Sequence, residues 1–137
     1  MIVIDANLLV ALVSGDPRGG KVLQYFTDWL NRNVEIHAPL LAKYETANAL
    51  TRLIVGGAFP QDKVEDAWNN ISILPIRYHD LSNVKRVVEI ALVLNRQNAY
   101  DAAYVALTEV LSAELWTLDG PLYRNAQGLG FPVNLLS

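Results

Sequence analysis

Short apolar, β-branched runs recur along this chain, each separated from the next by a stretch with helical spacing. Strands joined by helices pair in parallel through right-handed crossovers, and helices then cover both faces of the sheet. The expected strands are Ile2–Ile4, residues 34–37, 72–76 and 115–118, and a last one over residues 133–136. The expected fold class is α/β, a three-layer α/β/α sandwich around a central, mostly parallel sheet of four to five strands. All 137 residues form one domain in this reading, with no internal repeat or linker. A chain of this size buries roughly 70% of its unfolded surface.

Between the strands, Asn7 is placed to cap a short helix through Val13. Val22, Leu23, Phe26, Trp29 and Leu30 mark a second helix ending near Asn33. Pro39 precedes a third, from Leu40 to Val55, which Gly56-Gly57 stops; Pro60 opens a fourth carrying Val64, Ala67, Trp68 and Ile71. Asp80 or Ser82 is placed to cap a fifth, through Val84, Val87, Val88, Ala91 and Leu94. A sixth begins at Asn98 or Tyr100 and runs to Leu111, and a short one covers Gly120 to Gln127.

Composition narrows the function classes. The net charge of −3 gives no broad electrostatic footprint for nucleic acid, so such a partner must be met by a local patch or through bound cations. The absence of cysteine excludes disulfides and thiolate metal sites. The apolar opening MIVIDANLLVALVSG lacks a basic n-region and is interrupted by Asp5, so no cleaved leader is expected. No apolar run reaches the length of about 18 residues that a membrane span requires, and a cytoplasmic location is expected.

That opening also poses the chemical problem, because Asp5 sits among apolar residues with no Lys or Arg in the stretch. Asp5 ends the first expected strand and Asp119 the fourth. Asp101 starts a helix in NAYDAAYVALTEV, and Glu45 lies in LAKYETANALTRL with Asn48 three residues on, on the same face. Each has an ordinary explanation alone: a turn or cap for Asp5, a favourable helix dipole for Asp101, a Gly120-Pro121 turn for Asp119, and a surface position for Glu45. Jointly they acquire another meaning, since parallel sheets bind ligands outside the carboxyl ends of their strands. Carboxylates gathered there repel one another unless protons or a cation intervene. Mg²⁺ and Mn²⁺ prefer oxygen ligands, and such ions serve phosphoryl chemistry; a set with neither Cys nor His is a poor zinc site.

The segments IVIDANLLVALV, YETANAL, AYDAAYVALTEV and LWTLDGPLY resemble, in order and spacing, the four acidic motifs of PIN-domain nucleases. The resemblance runs from the first strand to the last, and size and motif style are most similar to single-domain ribonuclease toxins of the VapC type. It implies a PIN-like fold and cleavage of RNA with Mg²⁺ or Mn²⁺. Asp5, Glu45, Asp101 and Asp119 would be catalytic, with Asp5, Asp101 and Asp119 holding the metal and Asn7 and Asn48 supporting them. It also implies a cognate antitoxin and a homodimer. Thr117-Leu118-Asp119 is a variation on the family's Thr-x-Asp.

Candidate phosphate-gripping cations are Arg18, Lys21, Lys43, Arg52 and Arg124. His37 and His79 fall outside the motifs, and Trp29, Trp68 and Trp116 sit in apolar patterns as core or interface anchors. Three other readings compete. A haloacid dehalogenase-type phosphatase needs a second acid two residues after Asp5, where this chain has Asn7. A PIN-fold binding module would have little activity. DNA-directed PIN nucleases usually carry insertions or extra domains.

Overall fold

The fold is described from a computed structural model for residues 1–96 and 98–137. Strands β1 (Ile2–Ile4), β2 (Ile36–Pro39), β3 (Ile76–His79), β4 (Glu114–Thr117) and β5 (Val133–Leu135) form one sheet in the order β3-β2-β1-β4-β5. Every neighbouring pair is parallel. Ile2, Val3 and Ile4 are all buried although successive side chains point to opposite faces, so both faces of the central strand are covered. The chain builds outward from β1 through β2 to β3, then returns to place β4 on the other side of β1. That reversal makes the β1–β4 boundary the switch point of the sheet.

Among the described residues, seven helices flank the sheet: α1 (Ala6–Val13), α2 (Gly19–Asn31), α3 (Leu41–Val55), α4 (Val64–Ser72), α5 (Val84–Val93), α6 (Tyr100–Leu111) and α7 (Gly120–Leu129), with a 3₁₀ turn at Gln61–Lys63. Helix α6 packs on β1, β2 and β4, and its residues from Ala102 to Thr108 are buried without interruption. Trp116 of β4 meets Tyr25 and Trp29 of α2, at ring-centroid separations of 5.4 and 5.7 Å. Trp29 is thus a core anchor, whereas Trp68 on α4 remains 40% exposed. No helix among the described residues is long and apolar enough to cross a membrane.

Several details differ from the sequence reading. The third strand is not 72–76 but Ile76–His79, because α4 continues through Ser72 and the Leu74 N–H closes back onto the Ile71 carbonyl. Pro75, which lacks an N–H, then separates helix from strand. The second strand starts two residues late, since the Val34 N–H is bonded to the Trp29 carbonyl as α2 ends. The N-cap of α1 is Asp5 rather than Asn7, and that of α5 is Asn83, whose side chain accepts from the Arg86 N–H at 3.1 Å.

Helices α1 and α2 approach closely at Gly19, where a Cβ would lie 2.5 Å from the Ala11 carbonyl oxygen. A backbone atom cannot swing aside as a side chain would. Gly19→Ala should therefore destabilise the protein by about 1–3 kcal/mol, read as a lower urea midpoint at unchanged m-value. Gly20→Ala, whose added carbon meets nothing within 4 Å, should be neutral or stabilising by up to about 1 kcal/mol.

Candidate active site

All four acids singled out from the sequence line one cavity of about 260 Å³. Asp5 reaches it from the end of β1 and Asp119 from the end of β4, the two strands that flank the switch point. Glu45 comes from the second turn of α3 and Asp101 from the first turn of α6. The basic candidates divide. Arg18 and Arg52 line the cavity, whereas Lys21, Lys43 and Arg124 do not. Lys43 lies over the Tyr78 ring at 4.6 Å, and the Arg124 guanidinium packs beside Gly120. Arg18 is held by Asp16 through two side-chain bonds of 3.1 and 2.9 Å.

Asp5 is 9% exposed, and its side chain does not cap α1, which leaves its oxygens to other partners. The Thr117 hydroxyl donates to Asp5 Oδ2 at 2.8 Å, and Asn7 Nδ2 donates to the same oxygen at 3.2 Å. Thr117 Oγ1 in turn accepts from the Asp119 N–H at 3.0 Å and from Asn7 Nδ2 at 3.2 Å. Asn7 Oδ1 accepts from the Leu118 N–H at 3.2 Å. A short polar network thereby ties the ends of β1 and β4 together. Asp119 Oδ1 accepts from the Leu122 N–H at 3.0 Å and so caps α7. Asn48 is exposed and lines an adjoining cavity with Glu45, Arg52 and Asp101 rather than the one with Asp5.

Tyr104 and Arg96 were not singled out from sequence, and Thr117 entered only as part of the Thr-x-Asp resemblance, without a role of its own. Tyr104, one helical turn beyond Asp101, donates its hydroxyl to Glu45 Oε1 at 2.5 Å. The i, i+3 spacing is a signal that could have found it. Thr117 lies two residues before Asp119, which sets its hydroxyl at the strand end. Arg96 places Nε 3.6 Å from Asp101 Oδ2 in an ion pair, and that buried nitrogen has no hydrogen-bond partner among the described residues. No periodic pattern marks Arg96, because it lies in the connection before α6.

Burial, first, and the charges of Glu45 and Asp101, second, push the Asp5 carboxyl up to about 7 against the pull of Thr117 and Asn7. Burial also raises Glu45, aided by Asp101 and opposed by the Tyr104 hydrogen bond and by Arg52. Asp101 is raised by burial and by Asp119, against Arg96. The Tyr104 hydroxyl is raised too, by burial and then by the adjacent Asp5 and Glu45 charges. The acids therefore sense one another and are short of positive charge, the condition that a bound cation relieves. The lining donors are oxygens, with His37 and His79 paired to each other at 2.7 Å on β2 and β3 instead. Such a donor set suits Mg²⁺ or Mn²⁺. Among the described residues no three acidic or histidine side chains are gathered into a ready-made cage, so an ion here would take one or two carboxylates and fill its shell with water.

The raised Asp5 gives a defined pH dependence. Because its folded value of about 7 exceeds the ordinary 3.8, the native state holds the proton more tightly than the unfolded chain. The resulting stability, up to about 4 kcal/mol, is complete below pH 3.8 and is lost as pH rises through about 7. Asp16, Glu35 and Glu109 are held low by Arg18, His37 and Arg86, so their stabilising effects fade only towards acid pH. In metal-free buffer the urea midpoint should therefore fall between about pH 5.5 and about pH 8. Asp5→Asn should flatten that slope.

Comparison with known proteins places this arrangement. The family model described as PIN domain matches residues 2–127. The chain is similar to Ribonuclease VapC3 of Pyrobaculum aerophilum, at 28% identity over 96% of this chain and 98% of that protein. It is also similar to Ribonuclease VapC9 of Mycobacterium tuberculosis, at 30% identity over 87% of this chain and 86% of that one. Its fold matches the crystal structure of PAE2754 from Pyrobaculum aerophilum, with a TM-score of 0.71 at 20% identity, covering 98% of this chain and 90% of that one. The model match spans nearly the whole chain, from β1 into α7, and takes in all four acids: this chain belongs to the PIN-domain family.

Proposed function

We propose that this chain is a Mg²⁺- or Mn²⁺-dependent endoribonuclease that hydrolyses RNA phosphodiester bonds as the toxin of a toxin–antitoxin pair. The observation that carries the reading is the convergence of Asp5, Glu45, Asp101 and Asp119, from four separate elements, on one cavity at the sheet's switch point. Its similarity to proteins named ribonucleases supports the choice of RNA.

Asp5, Asp101 and Asp119 would hold the ion, at least one of them through water. The ion would neutralise the carboxylates and act as a Lewis acid towards the phosphate. Glu45 takes a proton from the attacking water, and the Tyr104 hydroxyl fixes the orientation of its carboxylate. Thr117 and Asn7 hold Asp5 in place. Water attacks phosphorus in line as the bond to the 3′ oxygen breaks. That oxygen gains a proton from solvent, and the products are a 5′-phosphate and a 3′-hydroxyl. Arg52, facing the acids, attracts the phosphate that they would otherwise repel.

We also propose a cytoplasmic homodimer with a cognate antitoxin as partner, as in the VapC-type toxins that the motifs resemble. Val84, Val88 and Leu92 form an exposed apolar strip on α5 at i, i+4 spacing, a surface available to a protein partner.

Incubation of total RNA with the protein and Mg²⁺ or Mn²⁺, followed by end mapping, tests the reaction. Cleavage should leave 5′-phosphates and fall by at least about 100-fold in Asp5→Asn at unchanged circular dichroism. Near-normal cleavage by that variant, or cleavage of DNA alone, would remove the assignment. Divalent ion at a hundredfold excess over its dissociation constant should stabilise the wild type by about 2.7 kcal/mol in thermal unfolding. The same ion should do much less for Asp5→Asn.

A further inference from the structure

Beside the acidic cavity lies a second, of about 600 Å³, which shares Glu45, Asp101 and Arg52 with it. Its remaining walls include two aromatic residues that the fold leaves in water. Tyr44 is 74% exposed and Tyr100 is 54% exposed. Other tyrosines have work inside the fold: Tyr25 packs against Trp29 and Trp116, Tyr78 lies under Lys43, and Tyr104 bonds to Glu45. Neither Tyr44 nor Tyr100 packs on another ring or uses its hydroxyl in a hydrogen bond among the described residues. Tyr100 opens α6 and directly precedes Asp101, while Tyr44 directly precedes Glu45 on α3, so both rings are tied to the acids by one peptide unit.

The charge pattern is equally selective. Arg18, Arg32, Arg77, Arg86 and Arg96 each pair with a carboxylate. Arg52 makes no direct ion pair among the described residues, and it lines both cavities. Two exposed aromatic faces, an amide at Asn48 and an uncommitted guanidinium suit a nucleotide with a free base better than an apolar helix. Bases in a duplex are stacked and paired, whereas unpaired bases can be splayed onto aromatic side chains.

We propose that Tyr44 and Tyr100 form a stacking subsite for unpaired bases next to the scissile phosphate, with Arg52 gripping the adjoining backbone. The proposal rests on the RNA-cleaving reading above and narrows its substrate to single-stranded or looped RNA.

Binding of a short fluorescent single-stranded RNA, followed by anisotropy in an Asp5→Asn background that leaves it uncut, provides the test. Tyr44→Ala and Tyr100→Ala should each weaken binding by roughly 5- to 150-fold, while the Phe variants stay within about twofold. In the cleavage assay the Ala variants should raise KM and leave kcat nearly unchanged. RNA with abasic sites beside the cleavage position should bind the Asp5→Asn background as weakly as intact RNA binds its Ala variants. Unchanged affinity in both Ala variants, or an equal loss towards a duplex of the same length, overturns the subsite. Loss of self-association or of a protein partner with RNA affinity intact would make this face a protein interface, and also overturns it. Should the wild type cleave no RNA while the Ala variants still lose affinity for it, the subsite stands and the nuclease reading falls.

Discussion

A carboxylate held almost out of water by a threonine hydroxyl, where β1 meets β4, is the contact on which the cleft depends. Asp5 cannot turn away into solvent, because its own N–H is bonded to the Trp116 carbonyl and its side chain to Thr117. Thr117 reaches the Asp119 N–H with the same oxygen, so the orientations of two acids are set by one buried hydroxyl. Burial makes the hydrogen bonds matter more and makes the unshared charge more costly. The cleft is consequently tied together at its base and short of positive charge, the condition that a bound cation would relieve.

The distribution of positive charge reinforces this. Most of the arginines are committed to neighbouring carboxylates at the surface, so the mild net charge conceals a cleft wall with little free cationic character. An anionic chain approaching the four acids meets Arg52 and whatever ion the acids hold. On the proposed function, affinity for RNA would rest on a bound ion and on contacts to bases more than on a broad basic field.

Much of this was legible in the sequence. The β-branched run at Ile2–Ile4 and the order of strands and helices followed from periodicity alone, because a strand covered on both faces has to be apolar throughout. The four acids were readable because each ends a strand or occupies an early turn of a helix, positions that a parallel sheet brings to one edge. The register of β3 was not, since Ile71, Ile73 and Leu74 form an apolar run compatible with either element until packing decides. The cap of α1 was misassigned because Asp5 and Asn7 are both good capping residues, and Asn7 is instead engaged across the β1–β4 boundary. Tyr104 and Arg96 went unmarked for a related reason. Their roles lie in contacts between elements, which local spacing encodes only in part.

Asp119 carries two duties on different oxygens. Oδ1 is engaged by the first turn of α7, whereas Oδ2 accepts no hydrogen bond among the described residues. That division leaves most of the lone pairs of Asp119 uncommitted. It also separates folding from chemistry at this position: an asparagine or serine keeps an N-capping oxygen while discarding the charge. One substitution at residue 119 could thus take a charge out of the cleft while the start of α7, and the surface built on it, stays as it was.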